Sequence, residues 1–330
     1  MSSNCATPEG TARYRDRFST RAFREQQGLF LSSIGIGTYL GNADEATDAN
    51  YTRAVVRAVQ LGVNVIDSAA NYRFQRSERS IGQALQTLVN EHGIAREELV
   101  ICTKGGYLPF DGAPPRNVRQ YVEDTFVNPG IATFADIVGG SHCMTPAYLQ
   151  SQLDQSLRNM KIDCVDVYYI HNPESQLQFV SETEFYARLK LAFERLEQNR
   201  KDGKLAYYGV ATWNGFRTRP HHSLVRMIEA AREVGGEAHG FRFIQLPFNL
   251  AMAEAVDVAN ETIDGEEMSV VEVAKRLGVT VVASASLLQG RIPPAEAIQF
   301  AGETTGITTA LIGMSKVEHV EENLATDLHG

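Results

Sequence analysis

Four ionisable residues, Asp67, Tyr72, Lys104 and His171, lie at or just beyond the ends of three apolar runs rich in β-branched residues. Runs of this kind are typical of buried strands. If the three runs form neighbouring parallel strands, their carboxyl ends meet at one rim and the four side chains share a pocket. A carboxylate, a phenol, an ammonium and an imidazole in one dry pocket can transfer a proton. The pattern therefore indicates a site that protonates a carbonyl oxygen at neutral pH.

The four residue types divide the work of carbonyl reduction between them. The ordinary pKa of a tyrosine is about 10, so Tyr72 donates a proton poorly at neutral pH unless a nearby cation lowers that pKa. We expect Lys104 to be that cation, Asp67 to hold Lys104 by pairing with it, and His171 to orient the substrate oxygen. Taken singly, each is more often structural: a turn aspartate, a packing tyrosine, a solvated lysine, a strand-capping histidine. Their joint occurrence at three strand ends favours the catalytic interpretation.

Short apolar runs alternate with amphipathic segments from residue 33 onward. The apolar runs predict strands at 34–39, 63–67, 98–103, 164–170, 206–211, 242–247, 279–284 and 309–313. The amphipathic segments predict helices at 48–61, 77–91, 146–159, 183–202, 221–234, 268–277 and 316–325. Strands that alternate with helices indicate a parallel sheet, because parallel neighbours need crossover connections. An open doubly wound α/β sheet also satisfies this order, but the number of strands favours an α/β fold closed into a (β/α)8 TIM barrel, as one domain over residues 1–330.

Two segments depart from this regular alternation. Residues 20–33 predict a hairpin before the first barrel strand, with Gln27-Gly28 as its turn. Residues 105–144 form an excursion between the third and fourth strands, which predicts a long loop at the C-terminal face of the barrel. The aromatic residues of this excursion form either a lid over the site or a small separate core, and we favour the lid. These residues are Tyr107, Phe110, Phe126 and Phe134.

The composition is that of an ordinary globular protein, with 43% hydrophobic and 22% charged residues. A net charge of −9 without a basic cluster gives no indication of a nucleic-acid surface. No apolar stretch approaches the ~20 residues that span a bilayer, and the N-terminus lacks a secretory pattern, so we expect no membrane association and a cytoplasmic location. Cys102 and Cys164 are expected to be free, buried and reduced. His142 and Cys143 lack further ligands at suitable spacing, so we expect no metal site.

The catalytic residues stand in motifs that resemble those of the aldo-keto reductase superfamily, over nearly the whole chain. The segment from Asp67 to Tyr72 resembles that family's Asp-Thr-Ala-x-x-Tyr signature, and Lys104 and His171 fall where the family places its lysine and histidine. The resemblance implies a (β/α)8 barrel that binds NADPH across its C-terminal rim. Hydride would pass from the nicotinamide to an aldehyde or ketone, with Tyr72 as general acid. It implies NADP(H) as the cofactor, with NAD(H) left open, and a small carbonyl compound as substrate; the oligomeric state stays open.

Further segments match positions at which the family binds its cofactor and substrate. The resemblance implies a cofactor site made of Gly37, Thr38, Asp67, Thr212, Gln245, Ser284, Leu287, Gln289, Gly290, Gly313, Ser315, Lys316, Glu322 and Asn323. It also implies that Tyr39, Tyr72 and His171 contact the substrate. Trp213 follows the fifth strand at the same rim, where it either lines the substrate pocket or covers the edge of the barrel. Tyr107, from the long excursion, completes the expected substrate site.

The chain departs from the family pattern around the cofactor. The family's serine-asparagine pair, which binds the carboxamide, is Ala211-Thr212 here, and the tyrosine on which the nicotinamide stacks is Ser284. The basic residue that usually precedes the glutamate-asparagine pair is His319. Lys316 is then the main cation left to hold a 2′-phosphate.

Two other functions fit the same residues. A nucleotide-sensing regulatory subunit of the same fold, with slow turnover, is consistent with the altered contacts at Ala211 and Ser284. A Schiff-base aldolase would use Lys104 as its nucleophile, but this function leaves Tyr72 and Gln245 unexplained. We therefore expect an NADP-dependent oxidoreductase that reduces a carbonyl compound, with the sensor as the first alternative.

Overall fold

A computed structural model describes residues 5–217 and 222–325 of the chain. The first elements are α1 (Pro8–Arg15), β1 (Phe23–Gln26), β2 (Leu29–Ser32), β3 (Ile34–Gly37), α2 (Glu45–Gln60), β4 (Val65–Asp67), α3 (Arg76–His92), β5 (Val100–Gly105) and α4 (Val118–Val122). The middle of the chain forms α5 (Pro146–Met160), β6 (Val165–His171), α6 (Glu182–Lys201), β7 (Leu205–Ala211), α7 (Leu224–Gly235) and β8 (Phe241–Pro247). The last elements are α8 (Glu254–Asp257), β9 (Ala259–Ile263), β10 (Glu266–Ser269), α9 (Val270–Arg276), β11 (Thr280–Ser284), α10 (Pro294–Glu303), β12 (Ile307–Gly313) and α11 (Val317–Ala325).

Eight parallel strands close into a barrel in the order β3, β4, β5, β6, β7, β8, β11, β12. The barrel closes where β12 pairs with β3, with Ala310 opposite Ile34 and Gly313 opposite Gly37. The predicted (β/α)8 barrel is confirmed, and every predicted strand is present with ends within two residues of those expected. The predicted helices are present as well, although the start expected at residue 221 lies outside the described residues.

The barrel has two apolar layers because successive strand residues point to opposite faces. One layer fills the interior and includes Val65, Cys102 and Tyr169 from three adjacent strands. The other layer lies between the sheet and the surrounding helices, and Ile66 belongs to it. Parallel strands buried on both faces in this way read as continuous apolar runs, which is why the sequence shows them so clearly.

The N-terminal hairpin closes the end of the barrel opposite the strands' carboxyl ends. Strands β1 and β2 pair antiparallel around Gln27 and Gly28, which have φ of 54° and 77°. Positive φ at both turn residues gives a hairpin the twist that its strands need. Leu29 and Leu31 of β2 join the interior apolar layer, so the predicted hairpin is confirmed and seals the barrel.

The 105–144 excursion folds into a small apolar cluster of its own. Helix α4 continues into one π-helical turn at Glu123–Val127, and Val122 and Phe126 are buried against Tyr148 of α5. Phe134 is 40% exposed, with the Arg119 guanidinium over its ring. The favoured prediction of an aromatic lid is therefore wrong for Phe126, which packs on Tyr121 and Tyr148 in the small separate core that was the alternative.

A disulfide joins Cys5 of the N-terminal segment to Cys164, which directly precedes β6; their Cα atoms are 5.4 Å apart. This corrects the expectation that Cys164 is free. The sequence gives no signal for the pair because its members are 159 residues apart. Cys102 and Cys143 are free and buried. The cytoplasmic location stays a prediction.

Candidate active site

Strand periodicity brings three of the four predicted catalytic residues to one level of the barrel interior. Asp67 follows Val65 by two residues, and both belong to the interior face of β4 because side chains alternate along a strand. The same step of two leads from Cys102 to Lys104 in β5, and from Tyr169 to His171 in β6. These residues sit at the carboxyl ends of adjacent strands, where barrel enzymes carry their active sites.

Asp67 and Lys104 form a buried ion pair at the floor of the site. The Lys104 Nζ lies 2.5 Å from Asp67 Oδ1 and donates a second hydrogen bond to the Ser68 carbonyl at 2.7 Å. Gln245 Nε2 donates to the other Asp67 oxygen at 2.9 Å. Burial is the largest single effect and lowers the pKa of Lys104, but the charges and hydrogen bonds of Asp67 and Tyr72 together raise that pKa above its ordinary value, so the ammonium form is favoured.

Tyr72 lies in the turn after β4, directly beside this pair. The Lys104 Nζ is 4.9 Å from the Tyr72 ring centroid, and the Tyr39 and His171 rings contact Tyr72 at centroid distances of 5.0 and 5.8 Å. Burial raises the pKa of Tyr72 above its ordinary 10, and the Lys104 charge offsets only part of that increase. Lys104 therefore lowers the pKa of Tyr72, as expected, but it does not bring that pKa below 10, because desolvation of the phenolate is the larger effect.

A strained turn holds Tyr72 in place. Arg73, Phe74 and Gln75, which follow it directly, all have positive φ, at 46°, 58° and 69°. Non-glycine residues in this region cost energy and persist where other contacts enforce them. Arg73 supplies such contacts: its guanidinium is buried and bonds Asp48 Oδ1 at 2.7 Å and other polar groups nearby. Sequence reasoning did not identify Arg73, although it lies next to the predicted catalytic tyrosine.

The imidazole of His171 is neutral in this site. Burial lowers the pKa of His171 well below 6.5, and the nearby Lys104 charge lowers it further. Its Nδ1 has no hydrogen-bond partner within the described part of the chain. A neutral imidazole carries one N–H, which suits the donation of a hydrogen bond to a substrate oxygen.

A groove of about 660 Å³ runs across the carboxyl ends of the strands above these residues. Every residue predicted for the site lines this groove except Lys104, Ser315 and Lys316. Lys104 lies below its floor, and Lys316 is exposed immediately before α11. The lining residues that sequence reasoning did not assign to the site include Leu40, Asn71, Asn172, Ala285, Ser286 and His319. Most of these directly follow a strand end or adjoin a predicted residue, which is the signal that could have identified them.

Trp213 and Tyr107 both line the groove. The Trp213 side chain is 43% exposed, and a carboxylate fixes its backbone: Glu174 Oε1 accepts hydrogen bonds from the Trp213 and Asn214 N–H groups at 2.7 and 3.0 Å. Burial raises the pKa of Glu174. The sequence gives no signal for Glu174, since its partners lie 39 and 40 residues away.

Two buried hydroxyl groups along the groove have no partner in the described residues, namely Thr212 Oγ1 and Ser286 Oγ. Unpaired buried polar atoms are costly, so they are often partners of a ligand. Near them, Ala285, Leu288 and Gln289 have φ of 53°, 44° and 57°. Backbone in such conformations presents N–H groups to an anion. The groove thus offers a polar ligand two unpaired hydroxyl groups and, near them, a backbone segment with positive φ.

Residues 5–217 and 222–325 were searched for membrane-spanning helices and for metal-binding groups. No helix in these ranges is both long and apolar enough to cross a membrane. No group of three or more histidine, cysteine, aspartate or glutamate side chains in them could hold a metal ion.

Comparisons with known proteins agree with this geometry. The putative voltage-gated potassium channel subunit beta of Schizosaccharomyces pombe is 25% identical over 203 residues, which are 61% of this chain and 48% of that protein. The NADH-specific methylglyoxal reductase of Escherichia coli is 25% identical over 191 residues, 56% of this chain and 49% of that protein. The chain thus spans about half the length of the curated relatives it matches.

A solved structure gives the same fold. An aldo-keto reductase from Klebsiella pneumoniae in complex with NADPH superposes with a TM-score of 0.59 at 17% identity, over 93% of this chain and 89% of that one. The sequence model of the Aldo/keto reductase family matches residues 33–297, which include all four predicted catalytic residues. The chain belongs to the Aldo/keto reductase family.

Proposed function

We propose that the protein reduces an aldehyde or ketone to an alcohol with a nicotinamide dinucleotide, and that Tyr72 donates the proton. The observation that carries this proposal is the contact of Tyr72 with the Lys104–Asp67 pair and His171 at the floor of a groove of about 660 Å³. When bound, the nicotinamide would supply a hydride to the carbonyl carbon. The carbonyl π electrons then form the O–H bond with the Tyr72 proton, and solvent returns a proton to the phenolate.

Each side chain has a defined part in this proton transfer. Burial keeps Tyr72 protonated at neutral pH, so the acid form is always present before the reaction. The Lys104 ammonium stabilises the phenolate formed when the proton leaves, and Asp67 keeps that ammonium charged and in place. The neutral His171 imidazole binds the substrate oxygen and aligns it with the Tyr72 hydroxyl.

The proposed cofactor is NADP(H). Thr212 Oγ1 and Ser286 Oγ are unpaired groups suited to its carboxamide and its phosphates. The Klebsiella pneumoniae enzyme is described with NADPH, whereas the Escherichia coli relative is named as specific for NADH, so both cofactors occur among similar proteins. Lys316, exposed at the start of α11, and His319, which lines the groove, are the basic groups proposed for the 2′-phosphate.

A second function, that of a nucleotide sensor, is supported by two observations. One relative is named as a potassium channel subunit, and the positions at Ala211 and Ser284 differ from the family's nicotinamide contacts. A sensor would bind NADPH tightly and turn over slowly. An aldolase is disfavoured, because the Lys104 ammonium is held by Asp67 and the Ser68 carbonyl and has no free electron pair for a carbonyl group.

The test is a panel of aldehydes and ketones assayed for oxidation of NADPH and of NADH. Multiple turnovers with at least one carbonyl compound, and formation of the alcohol, support the reductase. A single-turnover experiment on the preformed NADPH complex separates the alternatives. Bound NADPH that stays reduced with every reactive aldehyde would overturn the reductase and leave the sensor.

A further inference from the structure

His142 comes from the 105–144 excursion and lies behind the catalytic histidine. It is 1% exposed, and its Nε2 is 2.8 Å from the carbonyl oxygen of His171. Its Nδ1 is 2.9 Å from the Gln176 side-chain amide nitrogen. Gln176 is fully buried, and its Oε1 is 2.8 Å from Arg188 Nη1. A chain of three hydrogen bonds therefore leads from an arginine on α6 to the backbone of the catalytic histidine.

The direction of every bond in this chain is determined by chemistry. An arginine only donates, so the Gln176 oxygen must face Arg188 and its NH₂ group must face His142. His142 Nδ1 then accepts, which leaves the single proton of a neutral imidazole on Nε2, where it is donated to the His171 carbonyl. Burial lowers the pKa of His142 to about 4, so this neutral form is the one present at neutral pH.

The peptide between His171 and Asn172 is held at both of its polar groups. Its oxygen accepts the bond from His142, and its N–H donates to the Ala211 carbonyl at 2.6 Å. Asn172 has φ of 45°, in the left-handed region that asparagine adopts more readily than most other non-glycine residues. The His142 bond supports this turn directly after the catalytic side chain.

Two neighbours show that the contact is closely fitted. A Cβ on Gly106 would lie 2.8 Å from His142 Nε2 and 3.1 Å from the His171 oxygen, so only glycine leaves room for this bond. The Tyr107 ring lies edge-on to both imidazoles, at centroid distances of 5.2 Å to His142 and 5.1 Å to His171. Its hydroxyl is 3.1 Å from Ser175 Oγ, beyond the same turn. The two histidines thus form one packed unit with the wall of the groove.

We propose that His142 is a positioning residue for carbonyl reduction: it fixes the His171–Asn172 peptide and thereby the direction of the His171 imidazole. The inference rests on the proposed reductase function. In a merely structural role, His142 would anchor the excursion to the barrel without affecting how His171 meets the substrate.

The test compares His142→Phe, which keeps a planar ring and loses both bonds, with His142→Gln, which can donate and accept in their place. We expect His142→Phe to lower kcat by about 10- to 100-fold, as small misplacements of catalytic groups do, with an unchanged Kd for NADPH. We expect His142→Gln to recover most of the loss. In a His171→Ala background, the Phe substitution should cost little more, because both changes remove the same function.

Additive losses in the double variant, or a His142→Phe enzyme with wild-type kcat, would overturn the proposal. If His142→Phe does not fold, Gln176→Leu provides the second variant, since it keeps the imidazole but removes the amide that holds its Nδ1. Its kcat should then fall while NADPH binding is kept, and an unchanged kcat would count against the proposal.

A readout without turnover separates this inference from the proposed function. In ¹⁵N-histidine NMR spectra of the wild type, His142 should carry its proton on Nε2, and the His171 ring signals should move in His142→Phe but return in His142→Gln. A proton on Nδ1 would overturn the hydrogen-bond chain. A wild type that reduces no carbonyl compound, but shows the expected spectra, would instead overturn the reductase function.

Discussion

Lys104 Nζ lies 2.5 Å from Asp67 Oδ1, and the two side chains are 0% and 4% exposed. Both charged groups are buried, and each is stabilised chiefly by the charge of the other. Such a pair contributes little net stability, but removal of one member leaves an uncompensated charge in the interior. A substitution in this pair should therefore affect both the stability of the barrel and the proposed reaction at the site.

Replacement of Lys104 by Met should lower the free energy of unfolding at neutral pH by about 3–5 kcal/mol. Asp67→Asn in the same chain should restore much of this loss, because the buried charge is then gone. Without the lysine, burial should raise the folded-state pKa of Asp67 further above its unfolded value. Stability of Lys104→Met should hence recover relative to wild type as the pH falls and the carboxyl takes up a proton. Urea titrations at several pH values measure both effects, and a double variant no more stable than Lys104→Met would contradict this account.

Tyr72→Phe should lower kcat for carbonyl reduction by about 10²- to 10⁴-fold, since it removes the proposed general acid. Binding of NADPH should change little, because Asp67, Gln245 and the rest of the groove stay in place. The matched control is Tyr39→Phe, which removes a hydroxyl from the ring that contacts Tyr72 at a centroid distance of 5.0 Å. Steady-state kinetics with one aldehyde, together with NADPH titrations, provide the comparison. A Tyr72→Phe enzyme with the kcat of wild type would exclude Tyr72 as the donor.

The pH dependence of the reaction should follow the phenol of Tyr72. Because burial raises its pKa above 10, ionisation of Tyr72 should cause no fall in the reduction rate below about pH 10. Oxidation of the alcohol needs the phenolate, so its rate should rise with pH throughout the alkaline range. The loss of Lys104 removes the cation that stabilises the phenolate, so the rise in the oxidation rate should move to higher pH in Lys104→Met. If the wild-type rate changed with pH near pH 7 and this change disappeared in Tyr72→Phe, the Lys104 cation, and not burial, would have the larger effect on the pKa of Tyr72.

Thr212→Val should affect the ligand-free protein and the cofactor complex in opposite directions. The buried Thr212 Oγ1 has no partner in the described structure, so its replacement by a methyl group should leave the free energy of unfolding unchanged or raise it. Affinity for NADPH should fall by about 1 kcal/mol, or roughly five-fold, through loss of one hydrogen bond. Thr212→Ser is the control that keeps the hydroxyl. Equal affinities for the two variants would remove Thr212 from the cofactor site.

Lys316→Ala and His319→Ala form a matched pair for the 2′-phosphate. If Lys316 reaches the phosphate from its exposed position, its loss should weaken NADPH binding several-fold more than NADH binding. If His319 does so from the groove wall, the His319→Ala variant should show that selective loss instead. The measurement is the ratio of the two Kd values in each variant. Ratios equal to that of wild type in both variants would remove both residues from this role.

Much of the fold could be read from the chain because its determinants are local. Continuous apolar runs mark strands buried on both faces, and a step of two residues places Asp67, Lys104 and His171 on the interior face. Less could be read of the groups that support the site. Arg73 contacts Asp48, which is 25 residues away in sequence, and His142 contacts His171, which is 29 residues away. No sequence motif indicates either contact.

The sequence by itself therefore determined the barrel, the order of its strands and the identity of the four residues at its rim, because side-chain alternation and family motifs are properties of the chain. Only the tertiary structure decided how those residues behave. Whether Lys104 or burial controls the pKa of Tyr72 depends on how much water the folded site excludes. The pairing of Cys5 with Cys164 and the direction of His171 depend on segments that meet only when the barrel closes.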